Sequence, residues 1–267
     1  MSRYEIMFAE LKEKNQGAFI PFVMLGDPNE SESLEILHSL VEGGADALEL
    51  GIPFSDPVAD GPTIQAAALR ALNAGMTPRK AFSILKAFRE TNSKTPIGLL
   101  VYGNLVAQGE TGEFYALAKA AGVDSVLVAD VPSKEAAPFC AAAKSAGIDP
   151  VLIAAPNSSD KQSQCIAELS SGYTYVVSRA GVTGTETEAE LNHEQLLGKV
   201  RKFRAPPPVL GFGISNPDQV AKALAAGASG AISGSAIVKL IFETLPENRH
   251  RAIIEFVAQM KAGTTLS

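Results

Sequence analysis

Two acidic residues stand where acid–base chemistry is expected, one within an apolar run and one in a proline-rich loop. Glu49 lies in the run of residues 45–51, where it alternates with two leucines. Side chains two positions apart on a strand share a face, so Glu49 is expected to point inward with Ala45 and Ala47. A buried carboxylate is costly unless it is paired or takes part in chemistry. Glu49 is therefore a candidate proton donor and acceptor, and a salt-bridged structural carboxylate is the alternative.

Asp60 lies in the loop of residues 53–63, which holds three prolines and a second aspartate, Asp56. Prolines stiffen a loop and can hold an acid over a site. Asp60 is therefore a candidate for an acid that the loop holds over the mouth of a site. In the alternative interpretation, Asp60 only caps the helix that follows.

Three glycine-rich segments complete the chemical pattern. Residues 211–216 and 233–236 end two apolar runs and precede short helices. Glycines let backbone N–H groups approach an anion, and a helix N-terminus favours negative charge. These two segments predict a phosphate site. The third segment, residues 179–187, is polar and is expected to close over a bound phosphoester as a lid, with a plain surface loop as the alternative.

Eight short apolar runs alternate with longer stretches of helical spacing, and this alternation must position the candidate residues. The runs are residues 18–24, 45–51, 97–102, 123–130, 150–155, 173–178, 209–213 and 228–234. Strands that alternate with helices pair in parallel, and eight such units favour a closed (β/α)8 TIM barrel. A doubly wound open sheet is the alternative. Apolar stripes at both ends predict an extra N-terminal helix and an extra C-terminal helix.

In such a barrel the active site lies at the carboxyl ends of the strands. The alternation along each run predicts an apolar, aromatic-lined pocket around Glu49, which suits a flat hydrophobic ring. Its lining would be Phe22, Leu100, Tyr102, Leu127, Ala129, Ile153, Tyr175, Phe212 and Ile232. Each of these positions, taken singly, is equally explained as a layer of the barrel core.

Composition limits the remaining classes. The 267-residue chain is 46% hydrophobic with a net charge of −6, which excludes disordered and fibrous proteins and argues against a general nucleic-acid surface. Cys140 and Cys165 are too few for a disulfide framework or a zinc site. No apolar run approaches the roughly 18 residues that span a bilayer. We expect one cytoplasmic domain over residues 1–267, with no metal site and no nucleotide-binding glycine motif.

Five segments together resemble the tryptophan synthase alpha subunit family. They are residues 21–28 (PFVMLGDP), 48–57 (LELGIPFSDP), 59–65 (ADGPTIQ), 179–184 (RAGVTG) and 211–215 (GFGIS). The resemblance covers essentially the whole chain, and its strand-two segment is highly specific. Met24 and Gly103 depart mildly from the family pattern, and neither departure touches the two acids.

The resemblance implies retro-aldol cleavage of indole-3-glycerol phosphate to indole and glyceraldehyde 3-phosphate, with no cofactor on this subunit. It implies that Glu49, with a raised pKa, moves protons and that Asp60 accepts the indole N–H. The implied substrate-binding residues are Phe22, Leu100, Tyr102, Leu127, Tyr175, Thr183, Phe212 and Ile232. The implied phosphate-binding residues are Gly184, Gly213, Gly234 and Ser235.

The implied partner is the pyridoxal-phosphate-dependent beta subunit, in an alpha2beta2 heterotetramer that passes indole internally from one site to the other. The residues that would face it are Pro53, Asp56, Asn104, Gln108, Asp130 and Pro132. We expect closure of loops 53–62 and 179–188 to couple the two sites. Two other functions stay open: another phosphate-binding barrel, such as a phosphoribosyl isomerase, and a non-catalytic barrel that only binds and activates a partner.

Overall fold

A ring of parallel strands forms the centre of the protein. The computed structural model describes residues 1–177, 186–211 and 213–266; for residues 111 and 186–193 it describes the backbone only. The strands are β1 (Ala18–Met24), β2 (Leu48–Gly51), β3 (Ile97–Val101), β4 (Ser125–Val128), β5 (Asp149–Val151), β6 (Ile153–Ala154), β7 (Thr174–Val177), β8 (Pro208–Gly211) and β9 (Gly230–Ser233).

Helices separate the strands and cover the outside of the ring. They are α1 (Arg3–Glu13), α2 (Glu30–Glu42), α3 (Pro62–Asn73), α4 (Pro78–Thr91), α5 (Gly103–Val106), α6 (Thr111–Ala120), α7 (Ala137–Ser145), α8 (Asp160–Leu169), α9 (Glu186–Lys202), α10 (Pro217–Ala225), α11 (Ser235–Glu243) and α12 (Pro246–Ala262). The predicted extra helices are α1 and α12. None of the helices in the described part of the chain combines the length and apolar character that crossing a membrane requires.

The sheet closes on itself at the fifth strand. Its order is β5-β4-β3-β2-β1-β9-β8-β7-β6, so the two ends of the order are β5 and β6, which are consecutive in the chain. One residue, Leu152, separates them: the strand pairs with β4 before this residue and with β7 after it. The predicted run 150–155 is thus one barrel strand that changes partner. This topology is the predicted (β/α)8 barrel and excludes the doubly wound sheet.

The register places one set of side chains on the inner face. Glu49 pairs with Phe22 on β1 and with Gly98 on β3, and Gly98 pairs with Ser125 on β4. Partners in a parallel ladder point to the same side of the sheet. Since Glu49 bonds across the ring to Tyr173, which precedes β7, this side is the barrel interior.

Helix α1 closes the amino end of the barrel. Ser2 caps it in a reciprocal pair with Glu5, which satisfies two backbone N–H groups at its start. The Arg3 guanidinium lies 2.7 Å from the carboxylate of Asp124, just before β4. The Tyr4 hydroxyl lies 3.0 Å from the Ser125 hydroxyl inside the ring. The helix is therefore held by polar contacts as well as by its apolar stripe.

Candidate active site

Glu49 is the buried acid of the barrel interior. Its side chain is 1% exposed, and its Oε1 accepts a hydrogen bond of 2.8 Å from the Tyr173 hydroxyl. Its Oε2 has no hydrogen-bond partner among the described residues. Burial disfavours the charged form and raises the pKa of Glu49 to about 7, while the Tyr173 hydrogen bond opposes this effect. A carboxyl with this pKa can both give and take a proton near neutral pH.

The cluster beneath Glu49 consists of hydroxyl groups. The Tyr4 and Tyr173 rings lie 5.4 Å apart between centroids, and both side chains are buried. Gly98 makes room for them, because a Cβ there would lie 2.8 Å from the Ser125 hydroxyl and 3.0 Å from that of Tyr4. Sequence reasoning missed Tyr173 as a site residue and gave α1 only a packing role. The available signal was that Tyr173 shares the strand face of Tyr175, two positions on.

Asp60 is held at the mouth by Tyr102. The Tyr102 hydroxyl accepts a 3.1 Å hydrogen bond from the Ala59 N–H and donates to the Asp60 carboxylate. The Tyr102 ring stacks on Phe54 of the same loop, with centroids 5.3 Å apart. Burial raises the pKa of Asp60, and the hydrogen bond from Tyr102 opposes the shift.

Asp60 does not cap the helix that follows it. The N-cap of α3 is Gly61, and no side chain accepts a hydrogen bond from the first turn. The Asp60 carbonyl oxygen instead accepts a hydrogen bond of 2.8 Å from the Gln65 side chain, which fixes the loop to the helix. The carboxylate is therefore left for the mouth of the barrel, and the capping alternative is wrong.

Most of the predicted lining lies on the same face as Glu49. By register and alternation the residues on this face are Phe22, Leu100, Leu127, Ile153, Tyr175 and Ile232. Tyr175 lies against Gly211 so closely that a Cβ on that glycine would overlap the phenol ring. Burial strongly raises the pKa of Tyr175, and the negative charges of Glu49 and Asp60 add to the effect. Tyr175 is thus near both acids and remains a neutral phenol.

The predicted phosphate segments meet at the ends of β8 and β9. The Ser233 hydroxyl donates a 2.7 Å hydrogen bond to the Ile214 carbonyl oxygen and joins the two turns. Gly234 is the N-cap of α11, and no side chain caps this helix. Ser235 begins the helix and is exposed, as is Gly213, whose φ is +78°. The backbone N–H groups at this helix end are therefore available to an anion.

Some predicted residues lie outside the described part of the chain. They are Thr183, Gly184 and Phe212, with residues 178–185 of the predicted lid. Five of the six residues expected to face a partner are exposed: Asp56, Asn104, Gln108, Asp130 and Pro132. Pro53 is buried. Among the described residues no three His, Cys, Asp or Glu side chains group closely enough to hold a metal ion.

Comparison with known proteins identifies the family. The sequence model of the tryptophan synthase alpha chain family matches residues 8–265. The tryptophan synthase alpha chain of Escherichia coli O127:H6 is 54% identical over 266 residues, which cover 99% of each chain.

Solved structures agree in fold. The alpha subunit from Legionella pneumophila superposes with a TM-score of 0.90 at 29% identity, over 98% of both chains. A chain of the tryptophan synthase α2β2 complex from Pyrococcus furiosus superposes with a TM-score of 0.83 at 37% identity, over 92% of this chain and 98% of that one. A barrel with two acids at one mouth, matched over its whole length in sequence and in structure, belongs to the tryptophan synthase alpha chain family.

Proposed function

We propose that this protein is a lyase that cleaves indole-3-glycerol phosphate into indole and glyceraldehyde 3-phosphate. The bond between indole C3 and the first glycerol carbon breaks. A proton must reach C3, and another must leave the hydroxyl on the glycerol carbon, which becomes the aldehyde. The reaction therefore needs a group that exchanges protons at neutral pH inside an apolar pocket.

The observation that carries the proposal is the Glu49 carboxyl. It is buried, its pKa lies at about 7, and its Oε2 has no partner among the described residues. In this role the protonated acid delivers its proton to C3, and the resulting carboxylate accepts the proton of the glycerol hydroxyl, whose oxygen becomes the aldehyde oxygen. Glu49 gives up one proton and regains one in the same step, so the step needs no second acid.

Asp60 is assigned to the indole nitrogen. Positive charge develops on this nitrogen as C3 gains its proton, and a carboxylate that accepts the N–H stabilises it. The Tyr102 hydroxyl supports this role, because its hydrogen bond favours the ionised form of Asp60. The Ala59 N–H, which donates to the same hydroxyl, fixes the direction in which Tyr102 can donate.

The remaining assignments follow the shape of the mouth. Phe22, Leu100, Leu127, Tyr175 and Ile232 would clasp the indole ring, with Tyr102, Thr183 and Phe212 completing the set. The phosphate would bind at Gly184, Gly213, Gly234 and Ser235. The uncapped N-terminus of α11 and the link from Ser233 to Ile214 support this placement.

The proposal includes a partner and a setting. The Pyrococcus furiosus relative is part of an α2β2 complex, and we assign the same assembly, with a beta subunit, to this chain. The exposed residues Asp56, Asn104, Gln108, Asp130 and Pro132 would face that subunit. In this proposal the chain is one cytoplasmic domain without a cofactor of its own, and pyridoxal phosphate belongs to the beta subunit.

The test is indole release from indole-3-glycerol phosphate by the purified chain, alone and with a tryptophan synthase beta subunit. We expect slow release from the chain alone and a sharp rise with the partner. A folded chain that releases no indole in either condition would contradict the proposed reaction. Cleavage that is unaffected by a bound beta subunit would leave the reaction standing and contradict the coupling.

A further inference from the structure

A cleft of about 340 Å³ opens at the amino end of the barrel, away from the mouth where Asp60 lies. Its walls come from the start of α1, the last turns of α4, and the end of α6 with the turn that follows. The turns after α4 and α6 lead into β3 and β4, which places the cleft at the amino ends of these strands. No residue assigned to the proposed reaction lines it.

Positive charge is concentrated in this cleft. Its lining includes four cationic side chains: Arg3, Lys86, Arg89 and Lys119. The one carboxylate that lines it is Glu90, and Asp124 lies beneath, in contact with both arginines. The whole chain carries a net charge of −6, so the sign of the charge in this cleft is opposite to that of the protein as a whole.

Two of the four cations, Lys86 and Lys119, form no ion pair with a carboxylate among the described residues, although the charges of Lys119 and Asp149 attract each other at longer range. The Lys86 side chain is exposed, and its ammonium forms no hydrogen bond or ion pair with any residue that the structure describes. The Lys119 ammonium donates to a neutral acceptor, the Gly147 carbonyl oxygen, at 2.6 Å. The Arg3 guanidinium is 34% exposed, although it also binds Asp124 and the Ser93 carbonyl oxygen.

Crowded like charges favour an anion. Burial lowers the pKa of Arg89 to about 10; the charge of Asp124 opposes this shift, and the nearby charge of Arg3 adds to it. An oxyanion with several acceptor oxygens can accept hydrogen bonds from two ammonium groups and a guanidinium edge at once. The cleft volume is at the lower end of the range for small-molecule sites, which suits a small ligand.

We infer that this cleft binds a small phosphate-bearing anion, with Lys86 and Lys119 as its main contacts and the exposed edge of Arg3 as a third. The site is independent of the proposed phosphate contacts at Gly213 and Ser235, which lie at the opposite end of the barrel. It is also independent of the reaction proposed for Glu49.

Amide NMR of the ¹⁵N-labelled chain at low salt separates the two ends of the barrel. The probe is inorganic pyrophosphate, and the reporters are the Ser93 and Gly122 amides in the cleft and the Gly213 and Ser235 amides at the mouth. We expect saturable shifts at Ser93 and Gly122. In the variant Lys86→Ala/Lys119→Ala the dissociation constant read there should rise by about tenfold or more, through loss of two charge-assisted contacts, while the mouth amides respond as before.

The matched control is Lys161→Ala/Lys239→Ala, which removes the same charge from two exposed lysines on α8 and α11. It should change the dissociation constant by less than about twofold, since these charges are screened from the cleft. A second titration with glycerol 1-phosphate distinguishes a phosphate ester from inorganic phosphate as the preferred ligand. Absence of saturable shifts at Ser93 and Gly122 with both probes, or equal weakening by the two double variants, would overturn the inference.

Discussion

Two buried carboxylates of the barrel, Asp124 and Glu49, differ in what surrounds them. Asp124 is 8% exposed, and its two oxygens accept from the Arg3 and Arg89 guanidiniums and from the Ile97 N–H. Glu49 is 1% exposed and accepts one hydrogen bond from a neutral phenol. Both acids are largely removed from water. Only Asp124 has cations beside it.

This difference distinguishes an acid that supports the fold from the acid that we propose to react. Fixed cations and N–H donors hold a carboxylate in its ionised form, and its charge then joins parts of the fold. Without them, burial makes the proton exchangeable near pH 7. Burial alone would have selected both residues as candidates for catalysis, whereas the identity of the partners selects Glu49.

The strongest test of this contrast is Glu49→Gln. Glutamine keeps the size of the side chain and can still accept from Tyr173, but it cannot exchange a proton. Indole release in the presence of the beta subunit should fall by about 10²–10⁴-fold, the usual contribution of general acid–base catalysis. Binding of the beta subunit should be retained. A variant that cleaves at the parent rate would show that Glu49 is not the proton-transfer group.

The corresponding change at the second acid, Asp124→Ala, should lower the stability of the fold. It leaves two arginines without their shared carboxylate and releases the contact that anchors α1. Urea unfolding should show a loss of about 3–5 kcal/mol in the free energy of unfolding. Asp160→Ala removes an exposed carboxylate that pairs with Lys202, and it should have little effect. Equal losses in the two variants would remove the distinction drawn for Asp124.

The same Glu49→Gln variant should be more stable than the parent at high pH. The folded-state pKa of about 7 exceeds the ordinary value of 4.5, so the unfolded chain releases this proton first as the pH rises. The stability that the protonated carboxyl contributes is complete below pH 4.5 and is lost as the pH rises through about 7. The advantage of the variant should therefore grow by about 2–3 kcal/mol between about pH 5 and about pH 8 in urea unfolding. A constant difference across this range would place the Glu49 pKa near its ordinary value.

The smallest expected effect is that of Tyr173→Phe. Removing the one hydrogen bond to Glu49 should raise its pKa further, by roughly 0.5–1 unit. The limb of the pH–rate profile that reports Glu49 should move upward by that amount. Tyr115→Phe changes a buried tyrosine on α6, outside the ring, and should leave the limb in place. A limb that does not move in Tyr173→Phe would mean that this hydrogen bond is absent in the reacting state.

The features that could be predicted from the sequence depend on residues that are close together in the chain. The inward orientation of Glu49 follows from alternation along one strand, and its raised pKa follows from an apolar surrounding. The eight runs likewise predicted the barrel, because each strand is recognisable from its own residues. The turns at Gly213 and Gly234, where we propose that phosphate binds, were visible as glycine-rich ends of such runs.

The partners of the acids were not predictable in this way. Tyr173 is 124 positions from Glu49 in the chain, and the contact exists only because the ring brings β2 and β7 to face each other. Tyr102 reaches the loop of Asp60 across 43 positions, for the same reason. The change of pairing partner at Leu152 also depends on closure of the ring. It could not be predicted, because residues 150–155 form one uniform apolar run in the sequence. Such contacts depend on the geometry of the whole barrel.

The pairing of β1 with β9 has a consequence for synthesis of the protein. Ala18 pairs with Gly230, so the ring can close only after β9, the last strand, has been synthesised. During translation the ladder from β1 to β5 can assemble while more than a hundred residues are still to be made. Through that interval the β1 edge is open to other strands, and a chaperone that covers it would protect the nascent chain from aggregation.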